Sequence, residues 1–221
     1  MQANGTILPT GPPVNIPSLL PCVTVEIVSK IVPFTPVHVL EANLSLVLNA
    51  LVEAQLIDRQ MILMALATIR AEVGCFQPIS ERESPFNTSP DGHPFDLYDD
   101  RIDLGNLGPP DGANFRGRGF IQLTGRKNYE LHGRSIGFGD QLLNDPDLAN
   151  EPAIAAKLIA SFLKANASRI QAALTANDLA EARRCVNGGC HGLTEFTAAY
   201  TTGLALIPVH IEVTPAQPLA A

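Results

Sequence analysis

Two glutamates nine positions apart have the clearest potential for acid–base chemistry in this sequence. The first, Glu72, comes three positions after Ile69 on the apolar stripe of a predicted helix, where a carboxylate needs a task or a partner. Burial disfavours the charged form of a carboxyl group, and a general acid must carry a proton. The alternative is a structural salt bridge from Glu72 to Arg70, Arg82 or another base near the helix end.

The second glutamate, Glu81, lies in the segment Ser80-Glu81-Arg82-Glu83. A helix end followed by a turn can bring two carboxylates to opposite sides of a cleft. Inverting glycosidases need that arrangement, with the carboxyl groups about 6.5–9.5 Å apart so that a water molecule fits between them. A Glu-Arg-Glu cluster is more often a solvated surface, and Glu83 competes with Glu81 for the role of base.

A glycine-rich segment at residues 115–129 reads FRGRGFIQLTGRKNY. It does not fit a dinucleotide fingerprint, because Gln122 stands where the third glycine is needed, and it contains no Gly-Lys-Ser/Thr of a phosphate loop. Alternating apolar residues leave Gln122, Thr124 and Asn128 at polar positions. Amides and hydroxyls of this kind suit a neutral, hydroxyl-rich sugar.

Residues 116–125 together with the Asn-Tyr pair at 128 and 129 resemble the signature of family-19 glycoside hydrolases, which include chitinases and phage or bacterial endolysins. Three further features stand in that family's order. They are Glu72 ahead of a glycine and Phe76, the Leu-Gly-Asn and Asp-Gly motifs within residues 104–112, and the Asn-Gly-Gly turn at 187–189. The resemblance spans about residues 43–200.

This resemblance implies a lysozyme-like, two-lobed helical fold and an inverting mechanism. It implies that Glu72 is the general acid that protonates the glycosidic oxygen, and that Glu81 is the general base that activates water, with Thr124 helping to hold that water. It also implies that the N-acetyl sugar is bound by three amide side chains, those of Gln122, Asn128 and Asn187.

The neighbours of Glu72 depart from many relatives, because Ala71 and Val73 stand where a histidine and a serine or threonine are common. This departure motivates one alternative of another class, a catalytically inactive sugar-binding relative. The short spacing of the two glutamates is similar to the compact family members, many of which degrade cell walls. The expected substrate is therefore peptidoglycan, with chitin as the close alternative.

The elements that must position these residues are predicted to be mainly helical. Helical periodicity runs from Thr24 to Ile31, from Asn43 to Gln55 and from Asp58 to about Val73, and each stretch begins with a plausible N-cap. Gly74 ends the third helix in the position that glycine favours. Four more helices are predicted after residue 152, from apolar stripes at 154–163, at 170–174, at Leu179, Ala182, Arg183 and Val186, and at 194–206.

Between these helices, residues 74–139 hold 11 of the 17 glycines, and residues 76–129 hold 7 of the 12 aromatic residues. Such a composition favours an irregular loop surface that could contain a short hairpin, and we expect the binding cleft there. Tyr98 is the aromatic side chain expected to contact sugar, and Phe95 and Tyr129 are further candidates for ring stacking. The fold class is thus mainly α with an irregular glycine-rich cleft segment.

Four basic residues, Arg116, Arg118, Arg126 and Lys127, fall within 12 positions. They could attract an anionic wall polymer, or they could brace the cleft through carboxylate hydrogen bonds. Five aspartates between residues 91 and 103 lack EF-hand spacing, so caps and ion pairs are expected rather than a metal. Cys185 and Cys190 flank the Asn-Gly-Gly turn and are expected to be free thiols or a disulfide, because zinc-site spacing is missing.

The remaining expectations come from length and charge. A net charge of −7 over 221 residues argues against a general nucleic-acid binder. The prediction is a single catalytic domain at residues 23–207 between a Pro-rich arm (1–22) and a tail (208–221), acting as a monomer without a cofactor. No apolar run is long enough for a membrane span, and residues 1–12 do not resemble a signal peptide. The sequence therefore does not predict the cellular compartment of the protein. The expected substrate is nevertheless an extracellular or cell-wall polymer.

Overall fold

The computed structural model describes residues 22–207, and most of the predicted Pro-rich arm and all of the predicted tail lie outside this range. The described residues are mainly helical, as the sequence predicts, with a single two-stranded sheet among them. The helices are α1 (Val25–Ile31), α2 (Val37–Glu53), α3 (Arg59–Val73), α4 (Asp96–Asp99), α5 (Asp111–Asn114), α6 (Arg126–Ser135), α7 (Gln141–Asn144), α8 (Pro152–Ala165), α9 (Ala167–Thr175), α10 (Leu179–Asn187) and α11 (Leu193–Leu206).

Local cap chemistry sets several of the helix ends. The Thr24 side chain accepts from the amide of Ile27 at the start of α1, and Asp58 accepts from the amide of Met61 at the start of α3. Gly74 ends α3 with φ of 68°, a left-handed conformation that suits glycine. These three caps agree with the sequence predictions.

Helix α3 lies at the centre of the core. Every residue from Met61 to Ile69 is buried, so this helix is covered on all sides and not only along one stripe. Helix α11 packs closely against it at Gly203, where a Cβ atom would lie 2.2 Å from the Leu63 side chain. This buried helix carries Glu72 on its last turn, so tertiary packing fixes the position of the Glu72 backbone.

The predicted start of α2 is wrong. Asn43 is not an N-cap, since α2 begins at Val37 directly after Pro36, and Asn43 lies inside the helix with its side-chain amide donating to the Val39 carbonyl at 2.9 Å. The proline stops the preceding segment and also pre-sets the backbone for the new helix. The helix therefore starts six residues earlier than the apolar pattern indicated.

The irregular region at residues 74–139 contains a small sheet that is not a local hairpin. Strand β1 (Ile79–Ser80) pairs antiparallel with β2 (Arg118–Gly119), with Ile79 opposite Gly119. Short helices and a 3₁₀ turn at Ile102–Leu104 fill the chain between the strands. The pairing carries the loop after α3 across to the signature segment, and so brings residues 79–81 next to residues 117–124.

None of the helices in residues 22–207 is both long and apolar enough to span a membrane.

Candidate active site

All seven residues predicted for the site line one cleft of about 450 Å³. Helix α3, the β1 region, the signature segment, α6 and the end of α10 each contribute to its walls, and Leu104, Phe162 and Val186 add apolar surface. The seven residues are Glu72, Glu81, Tyr98, Gln122, Thr124, Asn128 and Asn187.

Glu72 sits on the last turn of α3 with 14% of its side chain exposed. Its Oε1 atom accepts a hydrogen bond from Nη1 of Arg183 at 2.7 Å. The salt bridge considered as the alternative for Glu72 is thus formed with another base, Arg183, and not with Arg70 or Arg82. Arg70 instead donates to the carbonyl of Gly74 at 3.3 Å. Within residues 22–207 no hydrogen bond reaches the second carboxyl oxygen of Glu72, which leaves that atom for a ligand.

Arg183 was not predicted as part of the site. Its side chain is fully buried in α10 and joins the two walls of the cleft, because Nε also donates to the His191 carbonyl at 3.0 Å. Its Nη2 atom has no hydrogen-bond partner among the described residues. The sequence did contain a feature that could have predicted its role. Arg183 is a charged residue on the apolar stripe of α10, just as Glu72 is on the apolar stripe of α3.

Three donors hold the Glu81 carboxylate. The Tyr98 hydroxyl donates to Oε1 at 2.9 Å, the Asn87 amide donates to the same atom at 3.0 Å, and the Gly117 amide donates to Oε2 at 3.0 Å. Glu83 is exposed and does not line the cleft. Glu81, and not its competitor Glu83, therefore lines the cleft together with Glu72.

Asn87 is the second residue that sequence reasoning missed. It is completely buried, and besides Glu81 it bonds the carbonyl of Arg82 and the amide of Ser84. Burial together with the hydrogen bond to Glu81 raises the pKa of Tyr98 to about 12, so its hydroxyl is protonated and can donate near neutral pH. Tyr98 thus holds Glu81 as well as lining the cleft.

Polar side chains of the signature segment form the floor of the cleft. Gln122 adopts φ of 49° and donates to the carbonyl of Ile79 at 2.9 Å, which ties it to β1. Thr124 donates to the Gln122 carbonyl, and the Asn128 amide donates to the Thr124 carbonyl at 2.8 Å. The side-chain oxygens of all three accept no hydrogen bond from the described residues, so they are available for hydroxyl or amide hydrogens of a ligand.

Asn187 uses both ends of its side chain within its own loop. Its amide donates to the His191 carbonyl at 2.8 Å, and its oxygen accepts from the Gly189 amide at 2.9 Å. Cys185 and Cys190 on either side are free thiols in the structure. Burial raises the pKa of the Cys185 thiol. The loop is therefore held by hydrogen bonds and not by a disulfide.

The basic residues of the signature segment mostly brace the cleft. Arg126 makes a two-point contact with the buried carboxylate of Asp111, at 2.6 and 2.7 Å, and this guanidinium lowers the pKa of Asp111. Arg118, only 2% exposed, donates to Asp147 at 2.9 Å and to the Tyr129 hydroxyl at 3.0 Å. Bracing, the second of the two interpretations of this cluster, accounts for these two arginines.

The aspartate-rich stretch forms caps and ion pairs. Asp99 is buried, accepts from the Gly112 amide and lies 3.0 Å from the His93 ring, while Asp103 pairs with Arg101. Across residues 22–207 no three His, Cys, Asp or Glu side chains are grouped so that they could hold a metal ion. Phe95 and Tyr129, the other stacking candidates, are buried and do not line the cleft.

The sequence matches a known family over the central part of this region. The family model described as chitinase class I, Glyco_hydro_19, matches residues 105–173. The matched residues are about a third of the chain, and over them the chain is similar to glycoside hydrolase family 19. The matched part includes Gln122, Thr124 and Asn128, whereas both glutamates and Asn187 lie outside it.

Three curated relatives resemble the chain over short segments. An acidic 26 kDa endochitinase of Solanum lycopersicum is 52% identical over 44 residues, 20% of this chain and 17% of that protein. An acidic 27 kDa endochitinase of the same species is 57% identical over 37 residues, covering 17% and 14%. The acidic endochitinase pcht28 of Solanum chilense is 54% identical over 41 residues, covering 18% and 16%. The alignments thus span less than a fifth of each of these endochitinases.

Proposed function

We propose that this protein is an inverting endo-hydrolase of β-1,4-linked N-acetylhexosamine polymers, with peptidoglycan as the preferred substrate. The observation that carries the proposal is the shared cleft of Glu72 and Glu81, which leave the chain on different elements and line the same cavity. We also propose that residues 23–207 act as one catalytic domain and as a monomer.

In the proposed mechanism Glu72 is the general acid. It gives its proton to the glycosidic oxygen as the bond to the leaving sugar breaks, through the carboxyl oxygen that Arg183 does not bind. The guanidinium of Arg183 fixes the direction of the carboxyl group and then stabilises the carboxylate that forms. Together with the ion pair to Arg183, this assignment accounts for a carboxylate on the apolar stripe of a buried helix.

Glu81 is the proposed general base. It takes a proton from a water molecule that attacks the anomeric carbon from the opposite face of the sugar, which inverts the configuration. The donors Tyr98, Asn87 and Gly117 hold the carboxylate in one orientation, so no energy is lost to reorienting it during the reaction. Thr124 lines the same cleft and is proposed to help hold the water.

The sugar is proposed to bind across the signature segment. The free side-chain oxygens of Gln122 and Asn128 suit the N–H of an acetamido group or a sugar hydroxyl, and apolar side chains such as Ile121 and Phe162 suit the carbon face of a ring. Asn187 completes the set from the far wall. These contacts need no cofactor.

Two polymers meet this description. Chitin, the alternative, is favoured by the names of the three curated relatives, each an endochitinase. Peptidoglycan is favoured by the spacing of only nine residues between the glutamates, which resembles compact wall-degrading members of the family. It is also favoured by Arg82 and Glu83, which lie beside Glu81 and form no ion pair with any residue from 22 to 207.

The test uses defined oligosaccharides of each polymer and follows the anomeric protons of the products by NMR. Release of the α-anomer from a β-linked substrate supports inversion; release of the β-anomer contradicts it. In Glu72→Gln we expect turnover to fall on the order of 10²- to 10⁴-fold, with saccharide binding retained. Binding without turnover in the unaltered protein would instead favour the inactive sugar-binding relative.

A further inference from the structure

A second opening shares Glu81 with the cleft. This charged crevice has a volume of about 590 Å³, and the side chains that define it are Arg82, Glu83, Phe95 and Arg116. Glu81 lines both the cleft and the crevice. A group attached to a sugar beside Glu81 could therefore extend into the crevice without leaving the protein surface.

The charged side chains Arg82, Glu83 and Arg116 of the crevice make few ion pairs within residues 22–207. Arg82 and Glu83 are exposed, and neither forms an ion pair with any residue from 22 to 207. The Arg116 guanidinium packs 5.6 Å from the Phe95 ring centre and donates from Nη1 to the Ala113 carbonyl at 2.8 Å. Its nearest acid, Asp147, is 3.9 Å away and 74% exposed, a weak partner.

These features set Arg116 apart from the other two arginines of the signature segment. All three arginines stack on an aromatic ring, but Arg118 and Arg126 also make hydrogen bonds to carboxylates at 2.9 Å or less. Arg116 makes no such hydrogen bond within residues 22–207, and its Nε has no hydrogen-bond partner there. Stacking fixes the plane of a guanidinium and leaves its edge for a ligand. Arg82 and Arg116 thus both line a crevice that the proposed base, Glu81, also lines.

The two candidate polymers differ in what they would bring to this crevice. Chitin carries only hydroxyl and acetamido groups and no charge. In peptidoglycan, alternate sugars carry a lactyl ether with a peptide, which supplies carboxylates and, at a diamino acid, an ammonium group. Guanidinium groups bind carboxylates through paired hydrogen bonds, and Glu83 is available to an ammonium group.

We propose that the charged crevice binds the carboxylate-bearing lactyl-peptide substituent of peptidoglycan through Arg82 and Arg116. This inference rests on the proposed function and names the part of the substrate that makes peptidoglycan the preferred polymer. The crevice contributes to specificity and not to the chemical step.

The experiment compares Arg82→Gln and Arg116→Gln on two soluble substrates of equal length, a peptide-bearing muropeptide oligomer and a chitin oligomer. We expect kcat/KM on the muropeptide to fall about tenfold for each variant, with the chitin value unchanged. Arg82 is exposed, so Arg82→Gln does not endanger folding. Arg134→Gln, which removes an exposed guanidinium of α6 away from both openings, is the matched control.

An equal loss on both oligomers, or no loss on either, would overturn the crevice assignment. A third substrate, glycan strands from which an amidase has removed the peptides, distinguishes a peptide carboxylate from a lactyl carboxylate, since the amidase removes the peptide carboxylates and frees the lactyl carboxylate from its amide bond. Failure of the proposed function looks different, because the unaltered protein would then hydrolyse neither polymer or only the chitin oligomer. In that case binding of the muropeptide to Glu72→Gln, with and without Arg82→Gln, still tests the crevice.

Discussion

Arg183 donates to Glu72 across 2.7 Å although the two residues are 111 positions apart. The arginine is fully buried, and its second strong contact is the carbonyl of His191 in the loop that carries Asn187. One side chain therefore links the end of α3 to the opposite wall of the cleft. We expect the distance between Glu72 and that wall to depend on it.

Arg183→Lys should lower kcat with little loss of binding. A lysine keeps the charge but has no planar fork, so it cannot contact both the Glu72 carboxylate and the His191 carbonyl. We expect a loss of at least about tenfold in kcat. Steady-state kinetics on a chitin or peptidoglycan oligomer measures it.

Two further variants test the stability contributed by Arg183 and provide a control for Arg183→Lys. Arg183→Met leaves Glu72 without its cation, and we expect the free energy of unfolding to fall by about 3 kcal/mol. Arg184→Lys alters the neighbouring arginine, which is 47% exposed and pairs with Glu181 at the surface, and should change neither quantity. Equal kcat values for Arg183→Lys and Arg184→Lys would contradict the positioning role.

Tyr98→Phe should separate positioning of Glu81 from contact with sugar. The variant removes only the hydroxyl that donates to Glu81 at 2.9 Å and keeps the ring in the cleft. We expect kcat to fall about tenfold while KM stays nearly constant, and Tyr98→Ala to raise KM as well. Tyr200→Phe is the control, because Tyr200 is buried in α11 and lies outside the cleft. A rise in KM alone for Tyr98→Phe would show that the hydroxyl serves the sugar.

Helix ends were predictable where the chemistry is local. The side chains of Thr24 and Asp58 accept hydrogen bonds from amides three residues ahead, and Gly74 adopts the left-handed conformation without strain. Each of these helix ends therefore depends on residues within one helical turn. Asn43 was misassigned because an asparagine before an apolar run looks like a cap even inside a helix. The preceding Pro36 was the stronger start signal, and Leu40 extends the same apolar stripe backwards.

The candidate site divides in the same way. Gln122, Thr124 and Asn128 could be predicted together, since they lie within seven residues of one recognisable segment. The donors that hold Glu81 come from 6, 17 and 36 positions away, and no periodicity relates them to it. Their contact depends on the pairing of β1 with β2, which is a tertiary event. For Arg183 the sequence offered one indication, a charged residue at a position of α10 where the helical pattern predicts an apolar one.

Gly117→Ala should impair turnover without removing any hydrogen-bonding group. A Cβ atom at this position would lie 2.9 Å from Oε1 of Gln122 and 3.2 Å from both Oε2 of Glu81 and Oγ1 of Thr124. The methyl group must displace at least one of these side chains, and a shift near 1 Å costs on the order of 10² in rate. The control is Gly189→Ala, where the added methyl group meets nothing within 4 Å. Full activity of Gly117→Ala would contradict the proposed placement of the reacting groups.

His132 should make the folded state sensitive to mild acid. Its ring is buried, packs on Phe162 and bonds Ser161 through Nδ1 at 2.9 Å, and burial lowers its pKa below the ordinary value of 6.5. As pH falls below about 6.5 the unfolded chain binds this proton first, so the free energy of unfolding falls with pH and levels off below the pKa of the folded state. Urea titrations between about pH 7.5 and about pH 5.5 measure the slope. We expect His132→Gln to flatten it and His38→Gln, which alters an exposed residue of α2, to leave it unchanged; the same slope in both variants would assign the pH dependence to other groups.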